Sequence, residues 1–440
     1  MSRKNRRSTF PAPFETVIEG LSHEGRGICH YDGRIVFVFS ALPGERVLVQ
    51  ISKTTKHYAE ANVLEVLEAS PQRIQPHCRH FSMCGGCSMQ HLSADDQVEL
   101  KQQSVLQMMQ HADISIEQVI PPLRAEVWGY RRKARLGVKF VRKKQRVLVG
   151  FRERNKPYLA DIQSCPVLID RVGQHLDDLM ALITELDAKE TIPQVEVAAD
   201  DDHCLLVFRH LQELSSADRQ RLTRFGQEHN FWIQLQPQGP DSVQLLYPQQ
   251  QTLRFKPLLD GDIAIRFNAA DFTQVNADIN HQMIRQALDF LELKPTDRVL
   301  DLFCGLGNFT LPMSRMSKQV TGVEGDEAMV QRARENALEH AIENTEYFAA
   351  DLTQIDRSAA WMKQKYDKIL LDPPRSGAYE MVQQLKSLKA SIIVYVSCQP
   401  SSLVRDAKVL CDAGYRLTHF GLMDMFPQTA HVESMAVFKI

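Results

Sequence analysis

The chain has 440 residues, 44% of them hydrophobic and 24% charged, which is apolar mass enough for packed cores in roughly two to four domains. Its formal charge of −2 excludes a uniformly basic nucleic-acid binder, so a nucleic-acid partner would have to meet a local patch. No apolar run approaches the roughly 18 residues of a membrane span, and the basic group Arg3, Lys4, Arg6 and Arg7 leads into no apolar stretch as a secretory signal would. The expectation is a cytoplasmic protein without membrane association.

Residues 1–12 read as a basic tail. Residues 13–70 read as short strands at 15–20, 27–31, 34–39, 46–52 and 59–67, with turns at Asp32-Gly33 and Pro43-Gly44-Glu45. Strands so short and so closely spaced fit a small OB-like β-barrel. Residues 71–267 read as an α+β central domain: a cysteine-rich loop, a helix over 95–111, then mostly strand-like sequence. Within it, positions 124 to 154 hold twelve Lys or Arg and two acids, Glu126 and Glu153, interleaved with Trp128, Tyr130, Phe140 and Phe151. Such a segment is either a solvated strand face or a phosphate-contacting surface with stacking groups. Arg132 and Lys133, in its middle, are candidate substrate-binding residues.

Residues 268–440 alternate buried-type strands (298–303, 319–323, 368–371, 392–397, 434–439) with helical stretches (327–341, 400–413). Alternation of this kind implies an α/β, Rossmann-like domain: a parallel sheet with helices on both faces. Ligands in such folds lie beyond the carboxyl ends of the strands.

The informative residues stand at those ends. The first strand runs into Asp301-Leu302-Phe303-Cys304-Gly305-Leu306-Gly307-Asn308-Phe309. Glycines here let backbone approach a ligand before a helix starts. Thr310 replaces the third small residue of a dinucleotide fingerprint, which argues against a nicotinamide enzyme. Glu324 closes the second strand, where an acid can accept from both ribose hydroxyls. Asp351 falls where a third strand should end. The fourth ends in the stiff loop Asp372-Pro373-Pro374-Arg375. The fifth ends in Ser397-Cys398-Gln399-Pro400, which puts a thiol on the same edge.

The chain carries nine cysteines and no export signal, so metal ligation, catalysis or burial are expected rather than disulfides. Cys78, Cys84 and Cys87 share one glycine-bearing loop, and Cys165-Pro166 offers a distant fourth thiol. Four thiolates suit zinc or a [4Fe–4S] cluster, and spacing leaves both open. Cys29, Cys204, Cys304 and Cys411 read as buried, inert thiols.

Taken together, the run from Asp301 to Phe309, the Asp372-Pro373-Pro374-Arg375 loop, the Ser397-Cys398-Gln399-Pro400 turn and the tail Phe426-Pro427-Gln428-Thr429-Ala430-His431-Val432-Glu433-Ser434 resemble the bacterial RNA uracil-C5 methyltransferases. The resemblance extends to Asp271-Phe272-Thr273-Gln274-Val275-Asn276, and the barrel resembles a TRAM domain. The resemblance implies S-adenosylmethionine as cofactor, held by Gln274, Phe303, Asn308, Glu324, Asp351 and Asp372. Cys398 is then the nucleophile, Glu433 the general base, and Phe272 an aromatic packed near the target base. Cys78, Cys84, Cys87 and Cys165 become the ligands of a [4Fe–4S] cluster. Barrel and cysteines together imply a monomeric enzyme acting on a flipped uridine of 23S ribosomal RNA, at the site usually numbered 1939, and not on DNA. The tail departs from the family at Gln428 and Ala430, where His and Gly are expected.

The chemistry requires this set. Uracil C5 is a poor nucleophile until a thiolate adds to C6 and turns the ring into an enolate. After methyl transfer a base must take the C5 proton so that the thiol can leave. Other readings are a uracil-C5 methyltransferase for another ribosomal or transfer RNA site, a non-catalytic RNA-binding assembly factor, and a radical enzyme. The last pairs a cluster with the same cofactor, but usually through a Cys-x3-Cys-x2-Cys loop that this chain lacks.

Overall fold

The structure, a computed structural model, describes residues 10–22 and 24–440. The expected basic group at Arg3, Lys4, Arg6 and Arg7 lies outside the described residues. Two compact units emerge: residues 1–104 with 428–431, and residues 105–427 with 432–440.

The first unit holds β1 (Phe14–Val17), β2 (Gly20–Leu21), β3 (Gly27–Tyr31), β4 (Arg34–Phe39), β5 (Arg46–Thr54) and β6 (Tyr58–Glu68). They form one six-stranded sheet in the order β1-β5-β6-β4-β3-β2. The single strand expected over 15–20 is broken in two, β1 pairing with β5 and β2 with β3. Alternate residues such as Val36, Val38, Val47, Val49 and Ile51 point into a shared core, as a period of two dictates for a strand with one buried face. Glu45 is fully buried, and its carboxylate accepts from the backbone N–H groups of Leu42 and Ser70 and from Arg73. A long helix, α1 (Ala94–His111), starts in this unit and ends in the second.

The tail residues where the sequence departs from the family have a local explanation here. Gln428 is 3% exposed and left-handed, with φ +69°. Its side chain accepts from Gln97 Nε2 at 3.1 Å, and its own backbone N–H donates to Gln97 Oε1 at 2.9 Å. Its carbonyl accepts from Ser88 and Met89, and Ala430 N–H donates to Ser88 Oγ.

The second unit continues with β7 (Ile116–Val119), β8 (Lys133–Val141), β9 (Arg146–Gly150), α2 (Asp170–Gly173), α3 (Leu176–Glu185), β10 (Gln194–Ala199), β11 (Cys204–Arg209), α4 (Ser216–Glu228), β12 (Phe231–Gln236), β13 (Gln244–Tyr247), β14 (Leu253–Phe255) and β15 (Ile265–Phe267). A six-stranded sheet of order β13-β12-β11-β10-β8-β9 dominates this part. Then come α5 (Ala277–Leu291), β16 (Arg298–Leu302), α6 (Thr310–Ser314), β17 (Gln319–Glu324), α7 (Glu327–Glu339), β18 (Thr345–Ala349), β19 (Lys368–Leu371), α8 (Tyr379–Leu388), β20 (Ile392–Ser397), α9 (Pro400–Asp412), β21 (Arg416–Met423) and β22 (Glu433–Lys439). Ala198, Leu205 and Val207 of the central sheet share a core with Leu311, Val330 and Ala333, so both parts pack as one body.

The second sheet of this unit runs β18-β17-β16-β19-β20-β22-β21-β7. The expected parallel sheet needs correction at its far end. β18, β17, β16, β19 and β20 are parallel, but β22 lies antiparallel between β20 and β21. β7 joins the edge from far upstream in the chain. Its Ile-Glu-Gln-Val pattern leaves only Ile116 half-covered, so hydrophobic periodicity does not reveal it. The order reverses between β16 and β19, which opens a crevice at their carboxyl ends.

Candidate active site

Chain direction leaves β16 abruptly. Phe303 takes a left-handed φ of +65°, uncommon for a non-glycine residue, and its N–H donates to Val323 O at 2.8 Å. Gly305 and Gly307 are left-handed as well. The Gly305 N–H donates to Glu324 Oε2 at 3.1 Å, while Glu324 Oε1 accepts from Gly325 and Asp326. Glu324 thus ties the loop after β16 to the end of β17. Asp351, after β18, accepts from the N–H and hydroxyl of Thr353, which hold its carboxyl below the usual range. Asn308 exchanges amide hydrogen bonds with Asn280 of α5, at 2.9 and 3.2 Å. α5 is set by Asn276, whose side chain accepts from Ile279 N–H as an N-cap, an arrangement worth about 1 kcal/mol. Gln274 lines a small hollow with Asn280.

Asp301 is buried beneath this loop, accepting from Thr310 Oγ1 at 2.5 Å while its Oδ1 has no partner. Burial, against the pull of Thr310, pushes its carboxyl up to about 7. Asp372 stands one strand over, its N–H donating to Leu302 O. Burial and the Glu324 charge push it up to about 7 as well.

Cys398 follows β20 and Glu433 begins β22. Ser397 is paired with Ser434, so the two residues leave the same rung. The thiol is held by a tight corner: Ser397 Oγ accepts from Gln399 N–H and donates to Gln399 O, and Pro400 occupies the first turn of α9. Burial, then the Glu433 and Asp372 charges, push the Cys398 thiol up to about 12, with Arg375 pulling the other way. Glu433 is 8% exposed, and burial and Asp372 push it up to about 8, again opposed by Arg375. The carboxyl groups and thiol thus form one electrostatically linked group at the sheet edge.

Arg375, quoted in the sequence motif without a role, is therefore part of this site. So is the support of its loop, which the sequence does not announce. Asp406 of α9, fully buried, accepts from Ala378 N–H at 2.7 Å and from Tyr395 Oη at 2.7 Å. Arg405 donates to Ser376 O. Gly377 has φ +77°, and an added Cβ would meet Arg405, Asp406 and Ser402 within 2.8 Å. An acid on the buried face of an otherwise amphipathic helix is the signal that marks Asp406.

The other expected residues are placed as follows. Phe272 is 68% exposed. Asp271, beside it, binds Arg332 and accepts from Lys133 Nζ through its carbonyl. Lys133 is thereby drawn inward, and burial lowers its ammonium. Arg132 pairs with Asp201 at 2.5 Å. Much of the basic segment is matched by acids from elsewhere in the chain: Arg135 by Glu196, Arg142 by Glu190, Lys144 and Arg146 by Asp161. Cys78, Cys84 and Cys87 lie on a loop of the first unit, folded by bonds from Phe81 N–H to Cys78 O and from Cys84 N–H to His80 O. Cys165 belongs to the second unit. All nine cysteines are free of disulfides. Cys29, Cys204 and Cys304 are buried as expected, but Cys411 is only half-buried, because it lies near the solvent-facing end of α9.

A switch-point crevice with acids after successive strands, on a sheet closed by one antiparallel strand, defines the S-adenosylmethionine-dependent methyltransferase fold. The crystal structure of the Pyrococcus abyssi tRNA (uracil-54, C5)-methyltransferase in complex with S-adenosyl-L-homocysteine superposes with a TM-score of 0.74, at 21% identity, over 97% of this chain and 100% of that one. Residues 93–439 match the family model of the tRNA (uracil-5-)-methyltransferases, and residues 14–64 that of the TRAM domain. The chain belongs to the tRNA (uracil-5-)-methyltransferase family. Proteins described as 23S rRNA (uracil(1939)-C(5))-methyltransferase RlmD are similar throughout. The one from Xanthomonas campestris pv. campestris (strain 8004) is 49% identical over 97% of both chains. That from Alkalilimnicola ehrlichii is 50% identical over 100% of this chain and 99% of its own.

Proposed function

We propose that this protein transfers a methyl group from S-adenosylmethionine to C5 of uridine 1939 in 23S ribosomal RNA, acting as a cytoplasmic monomer. The observation that carries the reading is the Ser397–Ser434 rung, which brings Cys398 and Glu433 out of adjacent strands into one buried crevice. Full-length similarity to the RlmD proteins supports the choice of RNA.

The Cys398 sulfur, as thiolate, adds to C6 of the flipped uracil, and the ring electrons move onto C5 and the C4 carbonyl. C5 then takes the methyl group from the sulfonium that the cofactor supplies. Glu433 removes the C5 proton, the C5–C6 double bond re-forms, and Cys398 leaves as thiolate. The base must be turned out of its helix to expose C6 to this attack, and Phe272, Arg132 and Lys133 are assigned to holding the RNA. Arg375 opposes the upward push on both reacting groups. Gln274, Phe303, Asn308, Glu324, Asp351 and Asp372 are assigned to the cofactor. A positive charge beside Asp372 would also relieve its repulsion of an ionised Glu433.

Cys78, Cys84, Cys87 and Cys165 are assigned to a [4Fe–4S] cluster. The donor set fits: four thiols outside any disulfide, three of them on a loop already folded by its own backbone bonds. The cluster would brace the chain, since methyl transfer moves no electron.

The test is a map of 5-methyluridine in 23S ribosomal RNA from cells lacking the gene, with methylation of an RNA fragment by the purified protein. Loss of the modification at 1939, restored by the protein but not by its Cys398→Ala form, is expected. An unchanged map rejects the substrate.

A further inference from the structure

A cavity of about 410 Å³, distinct from the catalytic crevice, opens between the central sheet and α7. Gln234 of β12, Gln251, Arg266 of β15, and Arg332 and Glu335 of α7 supply its polar lining. Most of these groups are already committed. Glu335 pairs with Arg266 at 2.5 Å, and a terminal nitrogen of Arg332 is bound to Asp271.

Gln251 is different. Both its Nε2 and its Oε1 are buried without a hydrogen-bond partner, and so is Nε of Arg332. Buried polar atoms in folded proteins are almost always paired, so three orphans around one cavity mark a place where a ligand completes the set. What remains open is a planar amide, offering one donor and one acceptor, and a single guanidinium N–H.

That pattern selects a ligand. A side-chain amide pairs two-fold with a nucleobase edge that presents an adjacent donor and acceptor, as glutamine does with adenine. A phosphate does not fit, because the carboxylates of Glu335 and Asp271 already neutralise the guanidinium groups. The location fits as well: Arg332 connects the cavity to Asp271, and Phe272, the next residue, is exposed as a stacking surface.

We infer that this cavity receives an unpaired nucleobase of the RNA, a neighbour of the methylated uridine, held by the Gln251 amide. The inference rests on the RNA substrate proposed above. A second seated base fixes which uridine reaches Cys398, which sequence-blind phosphate contacts cannot do.

The test is a mutant cycle between protein and RNA. In a 23S ribosomal RNA fragment carrying the target, each flanking nucleotide is replaced in turn by an abasic one, and KM and kcat are measured with wild-type protein and with Gln251→Leu. One abasic position is expected to raise KM roughly tenfold or more for the wild type. Gln251→Leu is expected to raise KM similarly on the intact fragment, and no further at that one position. S-Adenosylmethionine affinity, read by equilibrium binding, stays unchanged. Gln251→Glu, of equal size, repeats the test should the leucine form fail to fold.

An unaltered KM, losses that add at every position, or a loss of cofactor affinity in place of RNA affinity overturns the inference. If the wild type methylates no fragment, the substrate reading fails instead. Filter binding of the same fragments then decides on the cavity alone, with equal affinity for wild type and Gln251→Leu overturning it.

Discussion

Ser397 lies opposite Ser434 in the antiparallel pair β20–β22, and one step beyond that rung stand Cys398 and Glu433. Antiparallel pairing makes the end of one strand meet the start of its partner, so nucleophile and base are juxtaposed by register alone. The reversal of β22, which strand-helix alternation does not foretell, is what the proposed chemistry depends on.

Replacing Glu433 by Gln keeps its shape and removes the proton acceptor. Methyl transfer is expected to slow by about 10²–10⁴-fold. Because methylation precedes proton loss, the RNA stays attached, and a denaturing gel should show an RNA–protein adduct. The adduct should vanish when Cys398→Ala is added. A Glu433→Gln protein that turns over normally would remove the residue from its assigned role.

Cys398 should be sluggish in the ligand-free protein. Its thiol is pushed up to about 12, whereas a free thiol titrates near 8.5. Iodoacetamide labelling of the Cys398 peptide, followed by mass spectrometry, should be at least tenfold slower at pH 7 than for a free thiol. It should climb steadily between pH 7 and 10. Arg375→Ala should slow it further, since the guanidinium is the charge that favours thiolate.

Three buried carboxyls set a pH dependence of stability. Asp301 and Asp372 are raised to about 7 and Glu433 to about 8, chiefly by burial. The folded state therefore holds protons that the unfolded chain releases near pH 4. Stability from these groups is complete below pH 4 and is lost as pH rises toward 8. Glu45, which Arg73 holds low against the upward push of burial, titrates below that window. The melting temperature of the ligand-free protein should fall from pH 5 to 8, and Asp301→Asn should flatten part of the slope.

Gly377→Ala should damage the Arg375 loop. The position is left-handed, and a methyl group would meet Asp406 Oδ2 at 2.6 Å. A loss of roughly 2–4 kcal/mol in stability is expected, visible in denaturant unfolding, together with a lower kcat. Asp406→Asn, which weakens the hold on Ala378 and Tyr395, should lower kcat while leaving cofactor affinity near wild type.

Protein purified without air should contain iron and acid-labile sulfide in equal amounts, and Cys84→Ser should lose both. Zinc without iron in the wild-type protein would replace the cluster assignment by a four-thiolate zinc site.

Local chemistry was readable where it coincides with a strand end. Glu324, Asp372 and Cys398 each follow a run of buried β-formers, and each stands at the crevice edge. Three features were not readable, for different reasons. β7 is too polar to show a period. The pairing of the basic segment with Glu190, Glu196 and Asp161 depends on long-range packing that local composition cannot express. Asp406 looks like any helical acid until its neighbours Ala378 and Tyr395 are known.

The Gln97–Gln428 pair restricts how this lineage can drift. Each amide completes the other in a buried setting, through two bonds that cross. Replacing either partner alone strands a buried donor or acceptor, at about 1–3 kcal/mol. A return of position 428 to the histidine expected of the family would therefore require position 97 to change with it. The two sites should vary across relatives as a couple, with few sequences caught midway.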